Sequence, residues 1–209
     1  MDTTRIILVR HGETDWNAAG RIQGHSDTPL NAAGRQQAQR VGVRLASEPV
    51  RAVYSSDLAR AYETATIIGQ ALRLDVFTSS QLRERLYGSW EGLTWSEIQA
   101  RYPRELVEYE RRHRPMDFAP PGGETRSQLL NRALTTLQTI ARRHPGQTVV
   151  AVTHGGLCYV VLVHLMGSIE GDGRRFSPAN GSLHILEAAG DRWAVISINE
   201  TAHLQMIDP

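Results

Sequence analysis

Apolar positions along the chain fall into short continuous runs that alternate with longer stretches of helical period. Ile6-Ile7-Leu8-Val9 opens the series. A run that is apolar at every position predicts a strand buried on both faces. A polar loop passes through Gly24, and a helix is expected from near Asn31, whose side chain suits an N-cap. Ala52-Val53-Tyr54 predicts a second strand closed by Ser55-Ser56, either of which could cap the helix carrying Arg60, Thr64, Ile67 and Ile68. A weaker strand follows near Leu74-Asp75-Val76-Phe77. Within 125–144 the residues Leu129, Leu130, Ala133, Leu134, Leu137, Ile140 and Ala141 recur at helical spacing, so one face should pack on a sheet. The β-branched run Val149, Val150, Val152 then leads to His154. Two last strands, about 182–187 and 193–198, joined by Ala188-Ala189-Gly190-Asp191, read as a hairpin at the sheet edge.

Strands alternating with helices imply an α/β fold. The expectation is a three-layer α/β/α sandwich over residues 1–209 as a single domain, with a mostly parallel sheet, an antiparallel edge strand and a small helical lid insert. The insert spans about 82–121. Within it Thr94-Trp95-Ser96-Glu97 has capping-box spacing, a charged helical stretch runs through Tyr109-Glu110-Arg111-Arg112, and Pro115, Pro120 and Pro121 with Gly122-Gly123 mark a loop. Thr148 to Gly167 is about as long as a membrane span. It contains His154-Gly155-Gly156 and His164, so it reads as a strand broken by glycines from a helix.

Composition narrows the class. The chain has 209 residues, 41% hydrophobic and 22% charged, enough for one substantial core. The formal charge is +1, from 23 Lys and Arg against 22 Asp and Glu, with no block of like charge. That balance argues against nucleic acid or a membrane surface as a partner. Cys158 is the one cysteine, so an intramolecular disulfide is impossible and a reducing compartment is expected. The start Met1-Asp2-Thr3-Thr4-Arg5 lacks a basic region followed by a long apolar one, which adds to a cytoplasmic expectation. The exposed edge of the last hairpin could pair with a second copy in a homodimer.

Three of the expected strands are followed within a few residues by a cationic or ionisable group: Arg10 and His11, Arg60, and His154. Parallel strands would bring these to one edge, where ligands of open α/β sheets collect. Two guanidiniums and two imidazoles repel one another unless an anion joins them. A phosphate meets that need, since an arginine fork binds two oxygens at about 1.5–3 kcal/mol per charge-assisted bond. The amides of Gly155 and Gly156, opening a helix, would add donors. No Asp-rich cation site or Cys/His ligand pattern stands out, so neither a metal nor another cofactor is expected.

The ordered series Arg10-His11-Gly12-Glu13-Thr14, Asn17, Gln23-Gly24, Tyr54-Ser55-Ser56-x-x-x-Arg60-Ala61, Glu84 before Gly88-Ser89-Trp90-Glu91-Gly92, Pro121-Gly122-Gly123-Glu124-Thr125 and Thr153-His154-Gly155-Gly156 resembles the histidine phosphatase superfamily, in its phosphoglycerate-mutase-like branch. The resemblance implies that His11 attacks phosphorus as a neutral imidazole and becomes a covalent phosphohistidine. It implies that Arg10, Arg60 and a protonated His154 hold the transferring oxygens, with Asn17 and the Gly155 amide as further donors. Glu84 resembles the family's general acid and, once ionised, its base, a role worth roughly 10²- to 10⁴-fold. Gln23, Gly24 and Tyr87 complete the expected phosphate and substrate contacts.

Plainer readings stand beside these. Glu84 lies between Arg83 and Arg85 and could form a surface ion pair. Glu13 would serve the loop rather than the reaction, Cys158 would be a buried helix residue, and Trp90 and Trp95 would pack the lid, one of them lining the pocket. In the mutase pattern a lysine follows the Glu-Gly-Leu turn and an arginine pair lies on the lid. Here Trp95 follows Gly92-Leu93-Thr94, while Arg111-Arg112 echoes the pair and Tyr87 also suits a mutase. The missing lysine favours a hydrolase acting on a small phosphorylated metabolite: a sugar phosphate, a sugar-acid phosphate, phosphoserine or α-ribazole phosphate. The alternatives are a phosphoglycerate mutase and a non-catalytic phosphate-binding module; retention of His11, Glu84 and His154 weighs against the latter.

Overall fold

The computed structural model describes residues 2–111, 116–167 and 176–205, Arg111 by its backbone alone. The apolar runs become β1 (Thr4–Arg10), β2 (Val50–Ser55), β3 (Val76–Thr78), β4 (Thr148–Thr153), β5 (Leu183–Ala189) and β6 (Arg192–Glu200). They form one sheet in the order β3-β2-β4-β1-β5-β6. β1 and β4 lie side by side at its centre, parallel, from Arg5 opposite Thr148 to Arg10 opposite Thr153. Their carboxyl ends therefore stop level, and the residues that follow them emerge together.

The helices are α1 (Asp15–Ala18), α2 (Ala32–Leu45), α3 (Ala59–Leu72), α4 (Trp95–Arg101), α5 (Pro103–Arg111), α6 (Arg126–Arg143) and α7 (Gly155–Leu165). Alternate residues of the central strands face opposite layers. Ile6, Leu8, Val149 and Ala151 pack with Leu129, Leu137 and Leu157 of α6 and α7. Ile7, Val9, Val150 and Val152 pack with Val41, Ala65 and Ile68 of α2 and α3. This is the α/β/α sandwich expected from the sequence, and the wholly apolar run 6–9 is explained by cores on both sides. The segment 148–167 divides into β4 and α7, and among the described residues no helix is long and apolar enough to cross a membrane.

Several local expectations need correction. The cap of α3 is Leu58, with no side-chain cap bond. Ser56 Oγ does accept the Leu58 amide, at 3.3 Å, but its geometry serves His154, as described below. The weak strand lies at 76–78 and begins two residues after the expected start at Leu74. α1 was invisible in the hydrophobic pattern because it buries no residue; Thr14 and Asn17 hold it by a reciprocal capping box. The edge of the sheet carries two antiparallel strands, β5 against β1 and β6 against β5. Their connection is the two-residue turn Gly190-Asp191, with Gly190 at φ +62°, so both strands are longer than the sequence indicated.

The segment 82–121 holds its own apolar cluster of Trp90, Ile98, Leu106, Tyr109 and Phe118. The capping box at Thr94 is present and starts α4. Arg112 and Pro115 fall outside the described residues.

Candidate active site

The carboxyl edge of the sheet opens into a cavity of about 530 Å³ whose wall includes Arg10, His11, Asn17, Gln23, Gly24, Arg60, Glu84, Tyr87 and Gly155. All but one of the residues singled out from the sequence are thus on its wall. The other, His154, is fully buried beside it, its ring centroid 5.1 Å from that of His11.

His11 follows β1, and the turn that carries it requires two glycines to meet. A Cβ on Gly12 would stand 2.3 Å from the Gly34 carbonyl oxygen, and one on Gly34 would stand 2.1 Å from that of Glu13. The loop thereby lies against the start of α2, where Asn31 caps the helix and donates from Nδ2 to Glu13 Oε1 at 2.9 Å. Glu13 is accordingly a loop-holding residue. His11 Nδ1 is 2.7 Å from the Gly12 carbonyl oxygen. A carbonyl only accepts, so Nδ1 carries the hydrogen and Nε2 keeps its lone pair. Burial, then the charges of Arg60 and Arg10, hold the imidazole well below the usual histidine value. It is neutral at pH 7, the form a nucleophile needs.

Arg60 enters from the first turn of α3 and is fully buried. Its Nη1 donates to the Ser26 carbonyl at 2.9 Å and its Nη2 to the Gly24 carbonyl at 2.7 Å. Burial lowers its pKa to about 10, opposed chiefly by Glu84, so the guanidinium stays charged at neutral pH. Arg10 donates from Nη1 to the Pro178 carbonyl at 2.5 Å, and burial lowers its pKa against the attraction of Glu84.

Glu91, to which the sequence reading gave no role, organises the surrounding loop. It accepts from the amides of His25, Ser26 and Tyr87 and from the Ser26 hydroxyl. It therefore fixes the carbonyls that orient Arg60. Asn17 Oδ1 accepts from the Thr14 amide and from Asn180 Nδ2, each at 3.2 Å, leaving the amide nitrogen of Asn17 as the donor. Gln23 Oε1 accepts from the hydroxyls of Thr14 and Thr28, and Arg85 stands over the Tyr87 ring at 5.2 Å.

Two expectations about the far side of the site are revised. His154 was to be protonated, but burial, followed by Arg60 and His11, holds it well below the ordinary histidine value, so the ligand-free ring is neutral. Its Nε2 lies 2.9 Å from Ser56 Oγ. That oxygen also accepts the Leu58 amide at 3.3 Å, so the hydroxyl is held in place against the ring. Nor are both glycine amides open to an anion, because Gly156 donates to Glu84 Oε2 at 2.8 Å.

Glu84 Oε1 accepts from the Arg85 amide at 2.7 Å. The surface ion-pair reading of Glu84 fails on geometry. Arg83 is engaged with Asp57 at 2.7 Å, and the Arg85 guanidinium donates to the carbonyls of Glu124 and Phe118. Cys158 is fully buried in α7, as expected. Arg112 is outside the described residues, as is the side chain of Arg111.

Three buried nitrogens at this edge, Arg10 Nε, Arg60 Nε and His154 Nδ1, have no partner among the described residues. A buried polar group left so costs about 1–3 kcal/mol. A tetrahedral oxyanion offers the acceptors that remove this cost, and the two guanidiniums supply the matching charge. Among the described residues no cluster of His, Cys, Asp and Glu could hold a metal ion.

These features define a phosphoryl-transfer site built on a nucleophilic histidine, and the chain belongs to the histidine phosphatase superfamily, branch 1, whose family model matches residues 6–201. Among its relatives is the phosphoglycerate mutase-like protein 4 of Arabidopsis thaliana, 40% identical across 98% of this chain and 89% of the relative. The metal-independent phosphoserine phosphatase of Arabidopsis thaliana is 36% identical, across 99% and 85%. Among solved structures, YhfR of Bacillus stearothermophilus superposes with a TM-score of 0.89 at 33% identity, covering 97% of this chain and 100% of that one.

Proposed function

We propose that this protein is a phosphoric monoester hydrolase that works without a metal, through a phosphohistidine on His11 with Glu84 as general acid and base. The observation that carries the assignment is the neutral His11, with its hydrogen fixed on Nδ1 by the Gly12 carbonyl and two arginines beside it.

In the first step His11 Nε2 attacks phosphorus and the bond to the ester oxygen breaks. Glu84, as general acid, gives its proton to the departing alcohol. Arg10, Arg60, Asn17, the Gly155 amide and Nδ1 of His154 hold the equatorial oxygens, with Gln23, Gly24 and Tyr87 shaping the space around them. In the second step Glu84, now a carboxylate, takes a proton from water as it attacks phosphorus. The N–P bond breaks, and neutral His11 and inorganic phosphate are regenerated.

Hydrolysis is favoured over mutase chemistry because the position that would carry a lysine is Trp95, which lines the cavity and is 45% exposed. A mutase needs cations there to grip a carboxylate and keep its phosphorylated intermediate from water. The relatives' names include both mutase-like and phosphatase proteins, so they support the phosphate chemistry and leave the ester open. We take the chain as one catalytic domain with segment 82–121 as its side wall. The lone buried cysteine supports a cytoplasmic setting, and the exposed Ile196 and Ile198 of edge strand β6 support pairing of two copies.

The test is phosphate release from a panel of phosphomonoesters in excess EDTA, with isomerisation of 3-phosphoglycerate followed in the same samples. Release without isomerisation is expected. Isomerisation with negligible release would make the protein a mutase, and neither activity on any ester would favour a binding role.

A further inference from the structure

Beyond Arg10 and Arg60 the cavity wall combines Arg21, Arg85 and Arg126 with aromatic side chains, Trp95 and Tyr109 on the side of segment 82–121 and Tyr159 and Phe176 besides. Trp95 is the first residue of α4 and lies nearly parallel to Tyr109, at 15° and 5.9 Å between centroids. Tyr109 is itself held by the buried Trp90 and by Phe118, at 5.8 and 5.2 Å. Of Trp95 itself 45% remains exposed. Tyr159 and Phe176 form a second aromatic pair, 5.5 Å apart.

The platform is tied to the phosphate end. Arg21 bridges to Thr94, the Ile22 amide donates to the Leu93 carbonyl at 2.9 Å, and the Gly92 amide donates to the Ile22 carbonyl at 2.8 Å. Ile22 directly precedes Gln23-Gly24. The indole therefore has a fixed position relative to the carbonyl that orients Arg60. A cavity of about 530 Å³ also exceeds the needs of an acyclic three-carbon ester, for sites of roughly 300–1,000 Å³ enclose drug-sized ligands.

We propose that Trp95, backed by Tyr109, is a stacking platform for the alcohol part of the substrate, so that the site selects phosphomonoesters of ring-bearing alcohols, sugar or aryl, over small acyclic ones. The proposal rests on the phosphatase reading above. An aromatic face accepts either the C–H face of a sugar or a planar ring.

The test uses primary alkyl esters, so that leaving-group acidity is nearly constant: glucose 6-phosphate and benzyl phosphate against ethyl phosphate and phosphoserine. In the wild type at least one ring-bearing ester should lead in kcat/KM. Trp95→Ala should lower the ratio of that ester to ethyl phosphate by about three- to tenfold, carried by KM, and Trp95→Phe should restore most of it. Because the readout is a ratio within one variant, a general loss of folding cancels. A lead for benzyl phosphate alone identifies an aryl partner, and for glucose 6-phosphate alone a sugar. A lead for phosphoserine or ethyl phosphate, or a ratio unmoved in Trp95→Ala, overturns the proposal. Calorimetric binding of benzylphosphonate and ethylphosphonate to both proteins gives the same comparison without turnover. Absence of hydrolysis together with a Trp95-dependent preference for benzylphosphonate would refute the phosphatase reading and keep the platform. Equal affinities would refute the platform on its own.

Discussion

Gly156 is a position where one methyl group should separate the acid step from the rest of catalysis. A Cβ there would stand 2.3 Å from Glu84 Oε1 and 3.0 Å from its Cδ. Non-bonded heavy atoms rest at roughly 3.5 Å, so the carboxylate must retreat by about 1 Å. Retreat also stretches the 2.8 Å bond from the Gly156 amide. Loss of that bond would cost about 1.5–3 kcal/mol of stability, which a domain of this size can bear. The larger effect falls on rate, because a misplacement of about 1 Å can cost 10²-fold. The parameter kcat/KM reports steps through phosphorylation of His11, in which Glu84 protonates the leaving oxygen. For ethyl phosphate, whose alkoxide is a poor leaving group, Gly156→Ala should lower kcat/KM about 100-fold or more. For 4-nitrophenyl phosphate, whose leaving group needs little protonation, the loss should stay below about tenfold. Inhibition by inorganic phosphate should change little, since the cations are untouched. Equal losses on the two esters, or wild-type rates on both, would refute the placement of Glu84 as the acid.

Ser56→Ala removes the hydroxyl that partners His154 Nε2 and should cost about 1–3 kcal/mol of stability with about a tenfold fall in kcat; unchanged stability in urea together with a wild-type kcat would contradict a role for Ser56 in placing the ring. His154 is neutral in the free site because burial and Arg60 depress its pKa, so binding of sulfate, a dianion throughout this range, should take up a proton at pH 7. Calorimetry in buffers of different ionisation heat measures that uptake, and no uptake would contradict it. His184 is pushed down to about 4, by burial and then Arg10. The folded state then binds fewer protons than the unfolded one below pH 6.5, so this contribution to stability is whole above 6.5 and lost as pH falls toward 4, at about 1.4 kcal/mol per pH unit. Urea midpoints measured from pH 7 to 4 should fall less steeply in His184→Asn, and parallel slopes would refute the assignment.

The site was legible in the sequence wherever a residue lies at the end of a patterned strand. Arg10, His11 and His154 follow β1 and β4, and the apolar runs announce those strands. Arg60 was readable from its place after Tyr54-Ser55-Ser56. Ser-Ser before a helix has the local meaning of a cap that either serine could supply; the contact of Ser56 with His154 spans 98 residues of sequence, and no local pattern encodes it. Glu91 stands among the motif residues without a legible role, since its four donors come from two loops that meet only in the fold. The charge state of His154 in the ligand-free site is not legible in the sequence for a related reason. Its proton depends on burial and on Arg60, which sequence spacing does not give. α1 escaped because a four-residue helix with no buried face leaves no hydrophobic period.

The central claim is that phosphate passes through His11 without a metal. The most direct measurement mixes enzyme and phosphomonoester in excess EDTA, quenches in alkali during the first turnover, and maps the phosphorylated residue by mass spectrometry. The account predicts one alkali-stable, acid-labile phosphoryl group on His11, formed fast enough to support turnover, with neither label nor hydrolysis in His11→Ala. Turnover that persists in His11→Ala, or a phosphoryl group on any other residue, would contradict it.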